Sequence, residues 1–379
     1  MNLTNTAKNV KLGFLGFVVF IIVYLFGAFF FVPTAKSLYK SLFPPKNPPN
    51  PAFGPLEPIQ FEEQAILNTE APKYTLFTTN GKLPTDFPDR MTVYTYKKPT
   101  FSFEAGKRAA SDALKVGFEE ADLTTNLKGN EYRWVDAETG ASLRINTETK
   151  NLTLETPEDS LRGAYAEGSM NKEKAREVAK NVLRSVGRFS DPLYVKGDQT
   201  MSLGSYENGE IKYTAYARDA EIGYVNFFRN IGKYQIVGSV YKQGLVRLYV
   251  GAGNDVIKNN PLIYTNVREV NTQSNATYPL LPIGVAWSEV ANNKGVISYV
   301  KPNTQSPFED YKPIKVGEIL INDIFLAYYD DAEEQPYLQP IYVFEGNYIG
   351  PNNEKGAVAI YYPAISGEYI KSDVSNSLE

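Results

Sequence analysis

Apolar positions recur along the chain in three ways. The first is an unbroken run. Leu12 to Val32 holds 21 residues without a charge, 16 of them Leu, Ile, Val or Phe. At about 1.5 Å per residue the run reaches roughly 30 Å, the thickness of a bilayer's hydrocarbon core, and predicts a transmembrane helix. A secretory apolar segment is shorter, and Pro33 stands where a cleavage site needs a small residue. The run therefore reads as a retained anchor over residues 12–32. Lys8 and Lys11 before it nearly balance Lys36, Lys40 and Lys46 after it, so flanking charge decides little. A short tail, residues 1–11, and a long polar remainder favour a cytoplasmic N-terminus with the bulk of the chain extracytoplasmic.

The second pattern has the helical period. Ala110, Ala113, Leu114, Gly117 and Phe118 share one face, with Ser102 as cap and Gly117 as stop. Ala175, Val178, Ala179, Val182, Leu183 and Val186 form another stripe between Asn171 and Gly187. Ile283, Ala286, Trp287, Val290 and Ala291 form a third, ended by Asn292-Asn293-Lys294-Gly295. Each amphipathic helix needs a surface to pack on.

The third pattern is strand-like. Thr75–Thr79 leads into Asn80-Gly81, with a return near Met91–Tyr94, and Tyr206–Ile211 carries a second Asn-Gly turn; both predict hairpins. Leu143–Ile145, Leu152–Leu154, Tyr234–Tyr241, Leu245–Val250, Ile319–Tyr329, Tyr337–Glu345 and Ala357–Ile365 read as further strands. Short connections favour antiparallel pairing. The expected fold class is α+β: an N-terminal transmembrane helix, then antiparallel sheets each packed by a short amphipathic helix. Ala110, Ala113 and Leu114 superpose on Ala179, Val182 and Leu183 at an offset of 69, which suggests two helix-plus-meander units. The polar stretch Glu158 to Asn171 suggests a division into a first unit, 59–165, and a second, 166–379, ending in a three-strand segment.

Seven prolines between Pro44 and Pro58 predict an extended stalk over 33–58. Its spacings Pro45–Pro48 and Pro55–Pro58 also fit a ligand for an SH3-like domain, a looser reading.

Composition then narrows the chemistry. The chain of 379 residues has no Cys and no His, which removes disulfides, thiolate zinc sites, Cys nucleophiles and His-dependent triads. Lys and Arg number 39 against 43 Asp and Glu, so no basic stripe calls for a nucleic acid. No cofactor, metal site or catalytic residue is expected. Asp330-Asp331-Ala332-Glu333-Glu334 reads as a solvated strand connection; calcium ligation is the alternative, without the EF-hand spacing. Gly251-Ala252-Gly253-Asn254-Asp255 reads as a turn rather than a phosphate loop. Pairs such as Ser160 or Ser169 with Lys172 carry no distinguishing pattern. Aromatics cluster near the end of the chain. They either fill both faces of a buried sheet or form a binding surface of Trp287, Tyr328, Tyr337, Tyr342, Tyr348 and Tyr361.

Trp287 and the segments Glu318–Tyr329, Tyr337–Gly346 and Ala359–Ile365 resemble the C-terminal part of membrane-anchored two-component regulatory proteins of the YycH/YycI type. Those proteins act on the essential cell-wall sensor kinase of Gram-positive bacteria. The Ala-rich helices before meanders look like PepSY-type units, and the whole chain resembles single-pass proteins of small-genome bacteria. The resemblance implies a non-enzymatic regulatory module on the extracytoplasmic side of the cell membrane. Its partners would be membrane lipid, through residues 12–32, and a membrane or envelope protein. A carboxylate-dependent envelope hydrolase and a structural subunit of a surface assembly are the alternatives.

Overall fold

The computed structural model describes residues 48–371, except 69, 99–103, 128–129, 162–168, 254–255 and 332–334. The Leu12–Val32 run and Ser102 lie outside the described residues. Among those described, no helix is long and apolar enough to cross a membrane. Residues from Pro51 onward form one compact unit. Two nine-stranded sheets, mostly antiparallel, and a few short helices confirm the α+β class.

One sheet is backed by helices. Helix α1 (Ala105–Lys115) leads into the meander β3 (Leu123–Leu127), β4 (Glu131–Val135), β5 (Ser142–Asn146) and β6 (Leu152–Glu155). Helix α2 (Lys172–Ser185) leads into β7 (Gln199–Glu207), β8 (Glu210–Thr214), β9 (Ile222–Phe227), β12 (Val246–Gly251) and β13 (Leu262–Thr265). The order across the sheet is β3-β4-β5-β6-β13-β12-β9-β7-β8. Each helix is thus followed by strands running from edge to centre, and β6 meets β13 antiparallel, Leu154 opposite Ile263. That is the order of two units related by a two-fold axis, with the β8 hairpin arm added at one edge. The expected division at 165/166 therefore falls within a single sheet, because β6 and β13 pair across it.

The repeat is one residue out from the sequence reading. Ala109, Ala113 and Val116 are the buried positions of the first unit, and Ala179, Leu183 and Val186 those of the second. Their offset is 70, which also aligns Gly117 with Gly187. Both glycines end their helices at positive φ, +101° and +66°, a conformation that penalises residues with a Cβ. On α1 the buried face is rotated from the expected one: Leu114 is 68% exposed. The α2 stripe stands as read, and the Asn171 side chain accepts a hydrogen bond from the Lys174 amide as N-cap.

The second sheet gathers the rest. Its path is β10 (Arg229–Ile231), β11 (Tyr234–Val237), β16 (Glu318–Tyr329), β17 (Tyr337–Ile349), β18 (Lys355–Pro363) and β15 (Val296–Pro302). Strand β1 (Lys73–Leu76) runs parallel to β16, and β2 (Arg90–Tyr96) joins β17 to β14 (Val270–Pro279). Asn80-Gly81 therefore does not make the expected hairpin. Asn208-Gly209 does: its residues sit at φ +56° and +92° between β7 and β8, as the twist of a two-residue hairpin requires.

This sheet is covered on both faces. One face carries the large core with Ile324, Phe344 and Ile360, closed by α3 (Ile283–Ala291). The other packs Ala327, Ile341 and Val343 under Ile59 and Phe61. Part of the expected stalk belongs to the fold. Leu56 is fully buried, its amide donates to the Tyr369 carbonyl, and Phe53 stacks on Tyr337 at 5.1 Å. An apolar residue between prolines buries like any other, so Pro55–Pro58 is not presented as an SH3-type ligand.

Candidate functional site

The aromatic residues expected as a binding surface divide. Tyr328, Tyr342, Tyr348 and Tyr361 are at most 2% exposed, which makes them core residues. Side chains alternate across a strand, and here both faces are covered, so tyrosines on either face are buried. The hydroxyls of three find backbone carbonyls: Tyr328 donates to Thr92, Tyr342 to Leu281 and Tyr361 to Gly238. Trp287 is half-buried on α3, its ring 6.1 Å from that of Phe344. Trp287→Ala should therefore lower the melting temperature, by less than the about 3–5 kcal/mol of a fully buried ring. Thermal unfolding measures this, and an unchanged melt would return Trp287 to the binding candidates. Of the six, Tyr337 alone lines a cleft lined largely by charged side chains.

That cleft, of about 790 Å3, lies where the two sheets meet. Its walls come from distant parts of the chain. Strand β2 ends in Tyr96, and Lys97 and Lys98 follow it. Helix α1 presents Ala105, Arg108, Ala109 and Asp112, at the i, i+3, i+4, i+7 spacing of a single helical face. The β5–β6 turn contributes Asn146 to Lys150. It is closed by the Asn146 side chain, which accepts from the amides of Glu148 and Thr149. Arg188 follows the Gly187 cap of α2. Val267, Arg268 and Glu269 come from the link between β13 and β14, and Tyr337 opens β17.

The lining holds six cations and three carboxylates. Lys97 and Lys150 share Glu269, at 2.7 and 3.9 Å. The hydrogen bond from Lys97 holds the Glu269 carboxyl below its ordinary value. Arg188 pairs with Asp112 at 2.8 Å and donates to the carbonyls of Lys150 and Val186. The Arg268 guanidinium lies 3.4 Å over the Tyr96 ring and reaches Asp330 at 3.3 Å.

Behind the cleft runs a buried polar seam. Asp330 is fully buried and is shared by Arg229, Arg268 and the Tyr96 hydroxyl, the last at 2.7 Å. Arg229 is also fully buried and donates to the Arg268 carbonyl. Burial, and then the Asp330 charge, push the Tyr96 hydroxyl well above its usual value. Asp331, 5% exposed, accepts from the Tyr329 hydroxyl. The expected solvated connection at 330–334 is thus corrected at its first two residues, which are both buried, Asp330 as the counter-charge of two arginines; residues 332–334 lie outside the described set.

Other sequence candidates do not converge here. Gly253 donates its amide to the Asn259 side chain at the end of a one-turn helix, Val256–Asn259, and Asn254 and Asp255 lie outside the described residues. The Ser160 hydroxyl donates to the Thr139 carbonyl rather than meeting Lys172. Among the described residues no cluster of carboxylates is suited to a metal ion.

No family model matches the chain, and no curated protein matches it. Among solved structures it is similar to the crystal structure of an uncharacterized protein from Eubacterium rectale, at 12% identity and a TM-score of 0.42, covering 74% of this chain and 85% of that one.

Proposed function

We propose that this protein is a non-enzymatic binding and regulatory module, tethered to the cell membrane by residues 12–32, that senses a ligand on the extracytoplasmic side and signals to a membrane or envelope partner. The observation that carries the reading is the cleft between the sheets. It is large, it is cationic, and two of its carboxylates are bound in ion pairs. A hydrolytic acid needs a carboxyl raised towards neutrality. Glu269 is shifted the other way, which favours binding over the carboxylate hydrolase. A site walled by two sheets also links ligand contacts to the sheets' relative placement, the kind of two-sided contact a regulator uses. The uncharged run at 12–32 and the resemblance of the C-terminal strands to anchored kinase regulators support the location and the partner class.

A direct test offers soluble envelope-type anions to the full chain and follows both its melting and the ligand's fate. The expected result is a saturable rise in melting temperature with the ligand recovered unchanged. Turnover of the ligand into product would establish the hydrolase instead.

A further inference from the structure

A second group of charged and aromatic side chains lies on the other sheet, and none of its members lines the cleft. Asp323 of β16 stands directly opposite Glu345 of β17. Glu345 stands opposite Ala359 of β18, and Ala359 opposite Tyr299 of β15. Directly opposed residues share a face, so the row reads carboxylate, carboxylate, methyl, tyrosine. Like charges placed opposite each other are unfavourable unless a cation joins them. The cation here is an ammonium of the chain itself. The link between β11 and β12 brings Tyr241 and Lys242 to the row. Lys242 Nζ lies 2.6 Å from Glu345 and 5.5 and 5.7 Å from the ring centres of Tyr241 and Tyr299. The planes of those two rings stand at 82° to each other. The Tyr241 hydroxyl donates to Glu345 at 3.1 Å. Burial first, and then the charges of Glu345 and Asp323, hold that hydroxyl above its ordinary value. Asp323 has no ion pair among the described residues, so two carboxylates face one cation. Lys242 sits at φ +71°, a conformation that glycine or asparagine holds at lower cost.

We propose that Asp323, Glu345, Tyr241 and Tyr299 form a binding site for an organic ammonium group, which Lys242 fills as a tethered self-ligand and from which an outside ammonium displaces it. Two aromatic rings within about 6 Å of the cation, with a carboxylate at hydrogen-bond distance, are what recognition of an alkylammonium or methylammonium group requires. Ala359 puts only a methyl between the carboxylates and Tyr299, which leaves the floor shallow enough to seat such a group. The walls stay when Lys242 leaves. Tyr241 is 9% exposed and packs with Ala359 and Tyr361 in the core of that face, and Glu345 is held in the middle of the sheet. Lys242 is the movable part. Its side chain is 45% exposed, and an exposed ion pair of this kind holds weakly against water. The second carboxylate keeps the site anionic even with one ammonium in place, which favours cations and rejects acids.

The test is titration calorimetry of the full chain with n-butylammonium and with n-butanol, a neutral probe of the same length. A tethered group competes at an effective concentration in the millimolar range, so the native chain should bind n-butylammonium about tenfold more weakly than Lys242→Ala does. Lys242→Gln keeps most of the stem and loses the charge. It should open the site in the same way, which preserves the test if Lys242→Ala melts early. Adding Glu345→Gln to either variant should weaken n-butylammonium about tenfold, the loss of a charge-assisted hydrogen bond. n-Butanol should not bind to any of them. Absence of n-butylammonium binding in both Lys242 variants would overturn the proposal. So would equal affinity in the native chain and the variants, or n-butanol binding as well as the amine. The tripeptide Gly-Lys-Gly separates the two sources of such a group. Tighter binding than n-butylammonium would assign a protein lysine and equal binding a free amine, and either upholds the site.

Discussion

Asp330→Ala is expected to cost about 3–5 kcal/mol of stability, the loss that follows when one partner of a buried ion pair is removed. The carboxylate is fully buried and answers two arginines, one of them equally buried. Without it Arg229 would retain the Arg268 carbonyl and the Tyr194 ring, 5.1 Å away, but no counter-charge. A domain has only about 5–15 kcal/mol to lose, so the midpoint of urea unfolding should fall far. Asp330→Asn should lose less, because an amide oxygen still accepts from Tyr96. The double variant Asp330→Ala with Arg229→Met should recover part of the loss, since an apolar side chain of similar length needs no partner. An unfolding midpoint unmoved by Asp330→Ala would mean that the seam contributes nothing to holding the two sheets together. A double variant no better than the single one would show that the stranded charge is not the cause.

Much of the fold was legible because its determinants are local. The α2 stripe, its Asn171 cap and Gly187 stop, and the Asn208-Gly209 hairpin lie within a few residues of the positions they govern. The reading failed where partners are distant. Thr75 pairs with Leu320 rather than with the strand after Asn80-Gly81, and nothing near Asn80 announces that. Asp330 and Asp331 read as solvated because acidic runs usually are, while Arg229, which neutralises Asp330, sits 101 residues earlier. The tyrosines of β16 to β18 kept two readings open, since the strand pattern alone does not say whether a second face is covered. Ile59 and Phe61 cover it, from a segment read as the start of a separate unit. The cleft was not legible at all. Its cations come from five separated segments, none of them basic enough to stand out in a chain of near-balanced charge. The usable signal was the i, i+3, i+4, i+7 face of α1, where Arg108 and Asp112 interrupt an otherwise small apolar surface.

Alkaline pH should unfold this protein in a transition that coincides with ionisation of its buried tyrosines. The chain has 27 Tyr and neither His nor Cys, so few groups titrate between the carboxylates and pH 10, and stability should be nearly flat from about pH 6 to 9. Burial raises Tyr74, Tyr311 and Tyr342 to about 12. Tyr96 and Tyr361 are pushed well above the ordinary value, by burial first in each case. An unfolded chain ionises these hydroxyls near pH 10. Because the folded values are the higher ones, the stability they confer is complete below pH 10 and is lost as pH rises towards and through about 12. A tenfold weakening of acidity at a fully buried tyrosine corresponds to about 1.4 kcal/mol, so a few such hydroxyls together exhaust a stability of about 5–15 kcal/mol. Lysines that lose their charge in the same range, such as Lys97 and Lys371, are exposed and contribute little. Phenolate absorbance and circular dichroism, followed together from about pH 9 to 12.5, measure the coupling. The expected record is a cooperative rise in phenolate at the pH where the sheet signal collapses. Full phenolate formation with the sheet signal intact would show that these hydroxyls reach solvent in the folded state.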